Sequence, residues 1–340
     1  MRIAFQRILA VGLGAAVLLA GCRASEEGAP KAAAKDKITV CLLPKKKGVP
    51  YFTSCAQGAA EAAKTLGNVE LIYDGPTDGS PERAASMIET WALRGVDVIA
   101  VSPNDPDVLA PAMIKARQKG IHVITWDADG LPEAREFFVN QATSRQIGYA
   151  LVDTMARDMG GGRPEGEVAI ITATLTAANQ NEWIKYMKER LPEYPGLKLV
   201  AVKPSEENQK LAFQVAEDLV KVYPDLKGLF AISSMAFPGA AEAIRQSGKS
   251  GQVLVTGLST PNNMREYVKD GSVKSIVLWN TVDLGYLTVC AAEALATGKL
   301  KPGDTEIEAG RLGKKTIDGN SILLGDIMVF NKDNIDQFDF

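Results

Sequence analysis

From residue 37 onward, apolar positions come in short β-branched runs, separated by polar loops and by stretches in which apolar residues recur every three or four positions. The runs read as strands and the periodic stretches as amphipathic helices. Strands are expected at 38–43, 69–73, 96–101, 121–126 and 137–139, with helices at 52–66, 81–94, 108–119 and 144–159. Ala59, Ala60, Ala62 and Ala63 give the first helix high propensity, and Pro81 after Ser80 suits a first helical turn. After Gly160, Gly161, Gly162 and Pro164 the pattern starts again, with strands at 168–172, 198–202, 228–232 and 253–256 and helices at 181–190, 209–222, 236–247 and 261–269. Residues 275–278, a helix at 282–297 and strand-like segments to 340 complete the chain. Most strands are continuously apolar rather than alternating, which marks parallel sheets covered by helices on both faces.

The expected architecture is therefore α/β, with two doubly wound parallel-sheet lobes joined by a hinge. Residues 37–140 together with 281–340 would form the N-terminal lobe, the last stretch crossing back to complete it, and 141–280 the C-terminal lobe. Hinge segments are expected near 140–142, 258–259 and 279–281. Ligands of such sheets bind beyond the carboxyl ends of the strands. The cleft between the lobes is the candidate site, with loops at 44–52, 74–78, 102–105, 127–130, 173–183, 233–238, 259–262 and 279–283 around it.

The first 36 residues follow a different pattern. Arg2 and Arg7 precede an apolar run from Ile8 to Ala20 that is too short to cross a bilayer and suits a removable export signal. Leu19, Ala20, Gly21 and Cys22 resemble a bacterial lipobox. That resemblance implies a lipoprotein signal peptide over 1–22, lipid attachment at Cys22, and an exported protein, periplasmic or at the cell surface, that meets the membrane through its anchor only. A plain signal peptide cut nearby is the alternative. Residues 23–36 (RASEEGAPKAAAKD) lack aromatic side chains and read as a flexible tether.

Composition narrows the function. The 340 residues are 46% hydrophobic and 23% charged, which suits one or two globular domains with sizeable cores. Lysine and arginine are dispersed, the net charge is −3, and the run Lys45, Lys46, Lys47 is too short for a polyanion-binding stripe, so no nucleic acid partner is expected. Cys41, Cys55 and Cys290 form an odd set without a CxxC spacing, read as small buried hydrophobes with one disulfide as the alternative. His122, the only histidine, falls in an expected buried strand and reads as structural. With no HExxH, GxSxG or GxxxxGK motif, no catalytic residue, metal or cofactor is expected.

Six segments resemble a known family: LLPKKKGVPYFTS at 42–54, IYDGPT at 72–77, ITWDADG at 124–130, NQNEW at 179–183, GLSTPNNMREYVKDGSVKSIVLWN at 257–280 and VFNKDNIDQFDF at 329–340. Over 38–340 the chain resembles the type I periplasmic sugar-binding proteins of ABC importers, within them the autoinducer 2-binding and rhamnose-binding group. The resemblance implies a monomeric receptor, not an enzyme, that closes on one small sugar or sugar-like polyol and delivers it to ABC permease subunits. In the autoinducer 2-binding members, a lysine after the first strand, an aspartate in a TWD segment, an Asp-Gln pair and backbone groups of a Pro-Asp-Ala segment hold the ligand. Lys45, Asp127 and Gln180 match. Asn179 stands where that group has the aspartate, and the last element reads Ile232, Ser233, Ser234 ahead of Met235 and Ala236. An amide in place of a carboxylate removes a charge and adds donors, which alters the preferred hydroxyl pattern.

Sugars require convergent donors and acceptors together with aromatic faces for their C–H surfaces. Asp127 directly follows an apolar strand, where an acid is costly unless it caps a helix or meets a ligand. Asp127→Ala is expected to abolish binding and to leave the unliganded melting temperature nearly unchanged. Asn179 and Gln180 either cap the following helix or contact ligand. Tyr51, Phe52 and Trp183 are either core aromatics or stacking partners, and Ser233, Ser234, Trp279 and Asn280 are further candidates against loop packing and helix capping. Two other function classes remain: a ligand sensor for a membrane signalling partner, using the same cleft, and a carboxylate-based glycosidase. The latter needs a second acid opposite Asp127, where the other lobe offers Asn179.

Overall fold

The computed structural model describes residues 37–340, which fall within one compact unit, Asp36–Phe340. The expected signal peptide, Cys22 and the tether lie outside the described residues. In chain order the first run of elements is β1 (Ile38–Leu43), α1 (Pro50–Leu66), β2 (Val69–Tyr73), α2 (Pro81–Arg94), β3 (Val98–Val101), α3 (Pro106–Gln118), β4 (His122–Trp126) and β5 (Phe138–Asn140). The second is α4 (Ser144–Asp158), β6 (Gly166–Thr172), α5 (Ala178–Arg190), β7 (Leu197–Pro204), α6 (Gln209–Val222), β8 (Leu226–Ala231), α7 (Ala236–Gln246), β9 (Leu254–Gly257), α8 (Pro261–Lys269) and β10 (Ile276–Leu278). Then follow α9 (Thr281–Ala296), β11 (Glu306–Glu308), β12 (Lys314–Asp318), β13 (Ser321–Leu323) and β14 (Met328–Phe330).

Two sheets result, in the orders β11-β12-β13-β5-β4-β3-β1-β2 and β14-β10-β9-β8-β6-β7. From β13 to β2 every neighbour in the first sheet is parallel, and in the second only β14 runs against its neighbour. The expected α/β class with two parallel-dominated sheets is the observed one. Strand β1 explains the continuous apolar runs: Val40 and Leu42 enter one apolar layer with residues of α1 and α9, while Cys41 and Leu43 enter another with Ala84, Ile88 and Trp91 of α2 and Leu109 and Met113 of α3. Both faces are covered, so neither set of alternating positions is polar.

The tail departs from expectation. Residues 281–323 join the first sheet, but β14 pairs antiparallel with β10 of the second, with Ile276 opposite Phe330 and Leu278 opposite Met328. Phe330, Phe338 and Phe340 pack edge to face at 4.7–6.1 Å between centroids, and Arg265 of α8 donates to the carbonyls of Ile335 and Phe338. These contacts hold the terminus on the second sheet rather than the first. The chain thus passes between the sheets at 141–143, 279–280 and 324–327. The expected hinge at 258–259 is corrected: it joins β9 to α8 without leaving the second sheet's run, whereas 324–327 is a crossing that the strand pattern did not suggest.

Helices α1 and α9 approach unusually closely. A Cβ at Gly58 would stand 1.7 Å from the Val282 carbonyl oxygen, and one at Gly285 1.7 Å from the Cys55 carbonyl oxygen. At the same crossing the hydroxyls of Ser54 and Thr281 lie 2.5 Å apart. Cys41, Cys55 and Cys290 are free and buried, as small hydrophobes would be, and burial pushes the thiols of Cys41 and Cys290 up to about 12.

His122 is structural but not enclosed as expected. Its ring is half-buried, with Nδ1 3.1 Å from Glu136 Oε1. Hydrogen bonding to Glu136 raises the histidine pKa; burial opposes ionisation of Glu136, but the bond and charge of His122 outweigh it and lower that pKa. The stabilisation from the histidine is complete below its ordinary pKa of 6.5 and is lost as pH rises through the elevated folded value, while that from the glutamate is complete above 4.5 and is lost as pH falls through its depressed one. Thermal melts should therefore show a decline in melting temperature as pH rises above 6.5 that is absent in His122→Asn. Parallel pH profiles for the two proteins would contradict this assignment.

Candidate functional site

The order β4-β3-β1 in the first sheet places three carboxyl-terminal ends side by side, and Asp127, Ser102 and Lys45 emerge from them. Asp127 follows β4 in the left-handed region, at φ 64°, which aspartate tolerates better than most side chains. Its backbone N–H donates to the Val139 carbonyl (3.2 Å) and the N–H of Ala128 to the Trp126 carbonyl (2.7 Å), so the turn is fixed from both sides. Asp127 is 4% exposed; its Oδ2 accepts a hydrogen bond from Ser102 Oγ at 2.8 Å and pairs with Lys45 Nζ at 3.3 Å. Lys45 also donates to Asn179 Oδ1 at 3.3 Å, and Lys46 Nζ donates to the Glu207 carbonyl at 3.4 Å. Both lysines lie between β1 and α1, whereas Asn179 and Glu207 follow strands of the second sheet, so these bonds span the two sheets.

The second sheet contributes from the ends of β6, β7, β8, β9 and β10. Asn179 and Gln180 occupy the first turn of α5. Asn179 Oδ1 accepts from the Gln180 N–H at 3.0 Å as well as from Lys45. Gln180 is buried, and its Oε1 accepts from Thr172 Oγ1 (2.5 Å) and the Ala173 N–H (2.8 Å), which ties the amide to the end of β6. Ser233 Oγ accepts from the Ala236 N–H at 3.1 Å, and the Ser234 carbonyl accepts from Ser259 Oγ and Asn263 Nδ2.

Four aromatic side chains join the two halves. Tyr51 and Phe52 lie in α1, which begins at Pro50, a residue suited to the first helical position. Tyr51 stands edge to face with Phe52 (5.1 Å) and Trp279 (6.0 Å), and Trp183 with Trp279 (6.1 Å). Trp279 Nε1 donates to Tyr51 Oη at 3.0 Å. Burial, and then the charge of Asp127, push the Tyr51 phenol well up, so it remains a neutral hydroxyl.

Together these groups line a narrow cavity of about 50 Å³, well below the roughly 300–1,000 Å³ usual for small-molecule pockets, so the two halves stand close together around it. Ten of the eleven expected contact residues are in its wall: Lys45, Tyr51, Phe52, Asp127, Asn179, Gln180, Trp183, Ser233, Ser234 and Trp279. Asn280 is not; its side chain accepts from the Asp283 N–H at 3.1 Å and caps α9. Ser102, which supports Asp127, and Glu207, which lines the cavity, are additions. Glu207 also corrects the expectation that the second lobe brings no acid to the cleft. The rule that ligands lie beyond strand carboxyl ends applied equally to the loop after the strand expected at 198–202, so a signal for it existed.

Residues 40–300 match the model of the periplasmic binding protein domain. The D-allose-binding periplasmic protein of Escherichia coli is 26% identical over 75% of this chain and 84% of its own length. LsrB from Clostridium saccharobutylicum in complex with AI-2 superposes with a TM-score of 0.84 and 27% identity, covering 89% of this chain and all of the other. An ABC transporter solute-binding protein from Clostridium phytofermentas with bound L-rhamnose gives 0.80 and 29%, over 88% of this chain and 98% of its own. The strand orders and the match over 40–300 agree: the chain belongs to the periplasmic binding protein family and has the type I fold.

Proposed function

We propose that this protein is the solute receptor of an ABC importer, which holds one small sugar or sugar-like polyol between its two sheets and passes it to a membrane permease. The observation that carries the reading is the shared wall of the cavity: Lys45 and Asp127 come from the first sheet, Asn179, Gln180 and Ser233 from the second, and the walls between them are aromatic. A polyhydroxylated ligand satisfies both polar sets only when the sheets are close, so binding favours closure, with the segments at 141–143, 279–280 and 324–327 as the hinge. Export and lipid anchoring through Cys22, read from residues 1–22, belong to the same proposal, as do a monomeric state and the absence of nucleic acid partners.

The ligand class follows from the relatives as well as the wall. A rhamnose-like sugar and autoinducer 2 are the first compounds to test, because structures similar to this one hold L-rhamnose and AI-2; the relative that binds D-allose adds aldohexoses. Asn179 favours a ligand that accepts as well as donates hydrogen bonds at that point. Catalysis is not part of the proposal: the relatives reported above are binding proteins, and the Asp127 carboxylate is engaged by Lys45 and Ser102.

The test is calorimetric titration of the purified full-length protein, freed of carried-over ligand by unfolding and refolding, against L-rhamnose, D-allose, D-ribose, other hexoses and pentoses, and autoinducer 2. Saturable binding of one compound at a single site, recovered unchanged after prolonged incubation, is expected. No binding across the panel would defeat the sugar reading, and conversion of the bound compound would move the protein to the glycosidase class.

A further inference from the structure

Glu207 is built into the cavity by a turn that a side chain rarely adopts. Glu206 and Glu207 take successive positive φ values, 51° and 46°. The turn is clamped to the end of β6: the Glu206 N–H donates to the Ala173 carbonyl (2.7 Å), and Ser205 donates through its N–H (2.9 Å) and Oγ (3.0 Å) to the Thr172 carbonyl. Asn208 closes it by accepting from the Leu211 N–H at 3.0 Å, which starts α6. The left-handed backbone is thus held in place by several bonds, as strained turns at functional sites are. Its effect is to bring the Glu207 side chain into the cavity wall with Oε2 buried and without a hydrogen-bond partner.

The groups around it are Lys45 and Lys46 from the β1–α1 segment, Asp127 from the end of β4, and the Ser233 hydroxyl from the end of β8. Burial raises its pKa and favours the neutral carboxyl, against the two lysines, which favour the charged one. The first turn of α5 offers only the amides Asn179 and Gln180, so Glu207 is the carboxylate that the second sheet brings to the cavity among the described residues. A buried carboxyl oxygen left unsatisfied is costly, and a ligand hydroxyl is the natural partner.

We infer that Glu207 is a specificity-determining residue of the ligand site, whose Oε2 hydrogen-bonds one hydroxyl of the sugar on the side of the second sheet. The inference rests on the sugar-receptor reading and deepens it. It follows that the site rejects a ligand with hydrogen in place of that hydroxyl, because the deoxy compound leaves Oε2 buried and unpartnered.

The experiment uses the full-length protein stripped of ligand. Wild type is titrated with the sugar panel, and the compound that binds is then titrated, with its monodeoxy derivatives, into Glu207→Ala and Glu207→Gln. Glu207→Ala should weaken binding by about ten- to a hundredfold, the worth of a hydrogen bond to an ionisable group, with Glu207→Gln losing less. One monodeoxy derivative should bind wild type worse than the parent but bind Glu207→Ala as well as the parent does. Both variants should stay folded with unliganded melting temperatures close to that of wild type, because in Glu207→Ala the loss of an unpartnered buried oxygen offsets an alanine at φ 46° and Glu207→Gln keeps the size of the side chain. Equal affinity of wild type and Glu207→Ala overturns the assignment while leaving the sugar reading intact, and so does a lowered melting temperature with unchanged affinity, which marks a purely structural residue. Failure of wild type to bind any sugar overturns both.

Discussion

Asp127→Asn is expected to weaken ligand binding by on the order of a hundredfold while the protein stays folded, and Asp127→Ala to weaken it at least as much with a measurable loss of stability. Hydrogen bonds to an ionised group contribute about 1.5–3 kcal/mol each, and a carboxylate at the head of the cavity can accept more than one from a sugar. The structure revises the expectation that the unliganded protein would not notice the alanine. Asp127 is the partner of Lys45, whose side chain is only 15% exposed, and the acceptor for Ser102. Removing it deprives a largely buried ammonium of its carboxylate and the Ser102 hydroxyl of its acceptor, and puts alanine at φ 64°. We expect a cost of about 2–4 kcal/mol from the broken pair and the left-handed alanine. Asparagine keeps the size, the tolerance of that backbone and an acceptor for Ser102, so the comparison separates ligand contact from scaffolding. Denaturant titration of the ligand-free variants and calorimetry with the bound sugar provide the two readouts. Affinity of Asp127→Asn within about threefold of wild type would remove Asp127 from the contact set.

Gly285→Ala is expected to destabilise the protein although it adds a single methyl group inside a helix. Alanine normally stabilises a helix interior by about 0.5–1 kcal/mol relative to glycine. In α9 the added Cβ would instead meet the Cys55 carbonyl oxygen of α1 at 1.7 Å, and backbone cannot rotate away as a side chain does. Overpacking of ordinary cores costs about 1–3 kcal/mol, so a net loss at the upper end of that range is expected in denaturant titration. The consequence reaches the cavity. Separating the helices moves the first turn of α1, which carries Tyr51 and Phe52, away from Trp279 just before α9, so ligand affinity should fall along with stability. A variant as stable as wild type would show that the helices can part without cost.

The lipobox-like ending at Cys22 and the tether over 23–36 were read from residue pattern alone and remain expectations about residues outside the structure described. Elsewhere the outcome depends on how local the cause is. Helix starts governed by a neighbouring residue came within a few positions: Ser80 ahead of α2 accepts from the Arg83 N–H, and α4 begins at Ser144 behind a capping box made by Thr143 and Gln146. Tyr51 and Phe52 fall in the first turn of α1 rather than at a loop's end because Pro50 already has the φ a helix needs.

The residues named for the site divide in the same way. Lys45 and Asp127 each follow an apolar strand, which the chain pattern reveals, and the motif resemblance singled them out. Asn280 was ambiguous between cap and contact, since an asparagine before a helix suits either; the packing of α9 made it a cap. Gln180 is both a wall residue and a tie to β6, which no spacing in the sequence expresses.

What the sequence by itself determined is the alternation of strands and helices, the parallel character of the sheets and the side of each strand on which chemistry can sit, because periodicity, capping and burial on both faces act over a few residues. What only the tertiary structure decided are the relations between distant segments. The strand β14, three apolar residues that would suit either sheet, is assigned to the second by its ladder with β10 and by the phenylalanines behind it. Glu207 becomes a wall of the cavity only because β7 lies beside β6 and their loops are bonded together. Such choices rest on long-range pairing, whose free energy is gained only after the chain has closed, and no local pattern encodes them.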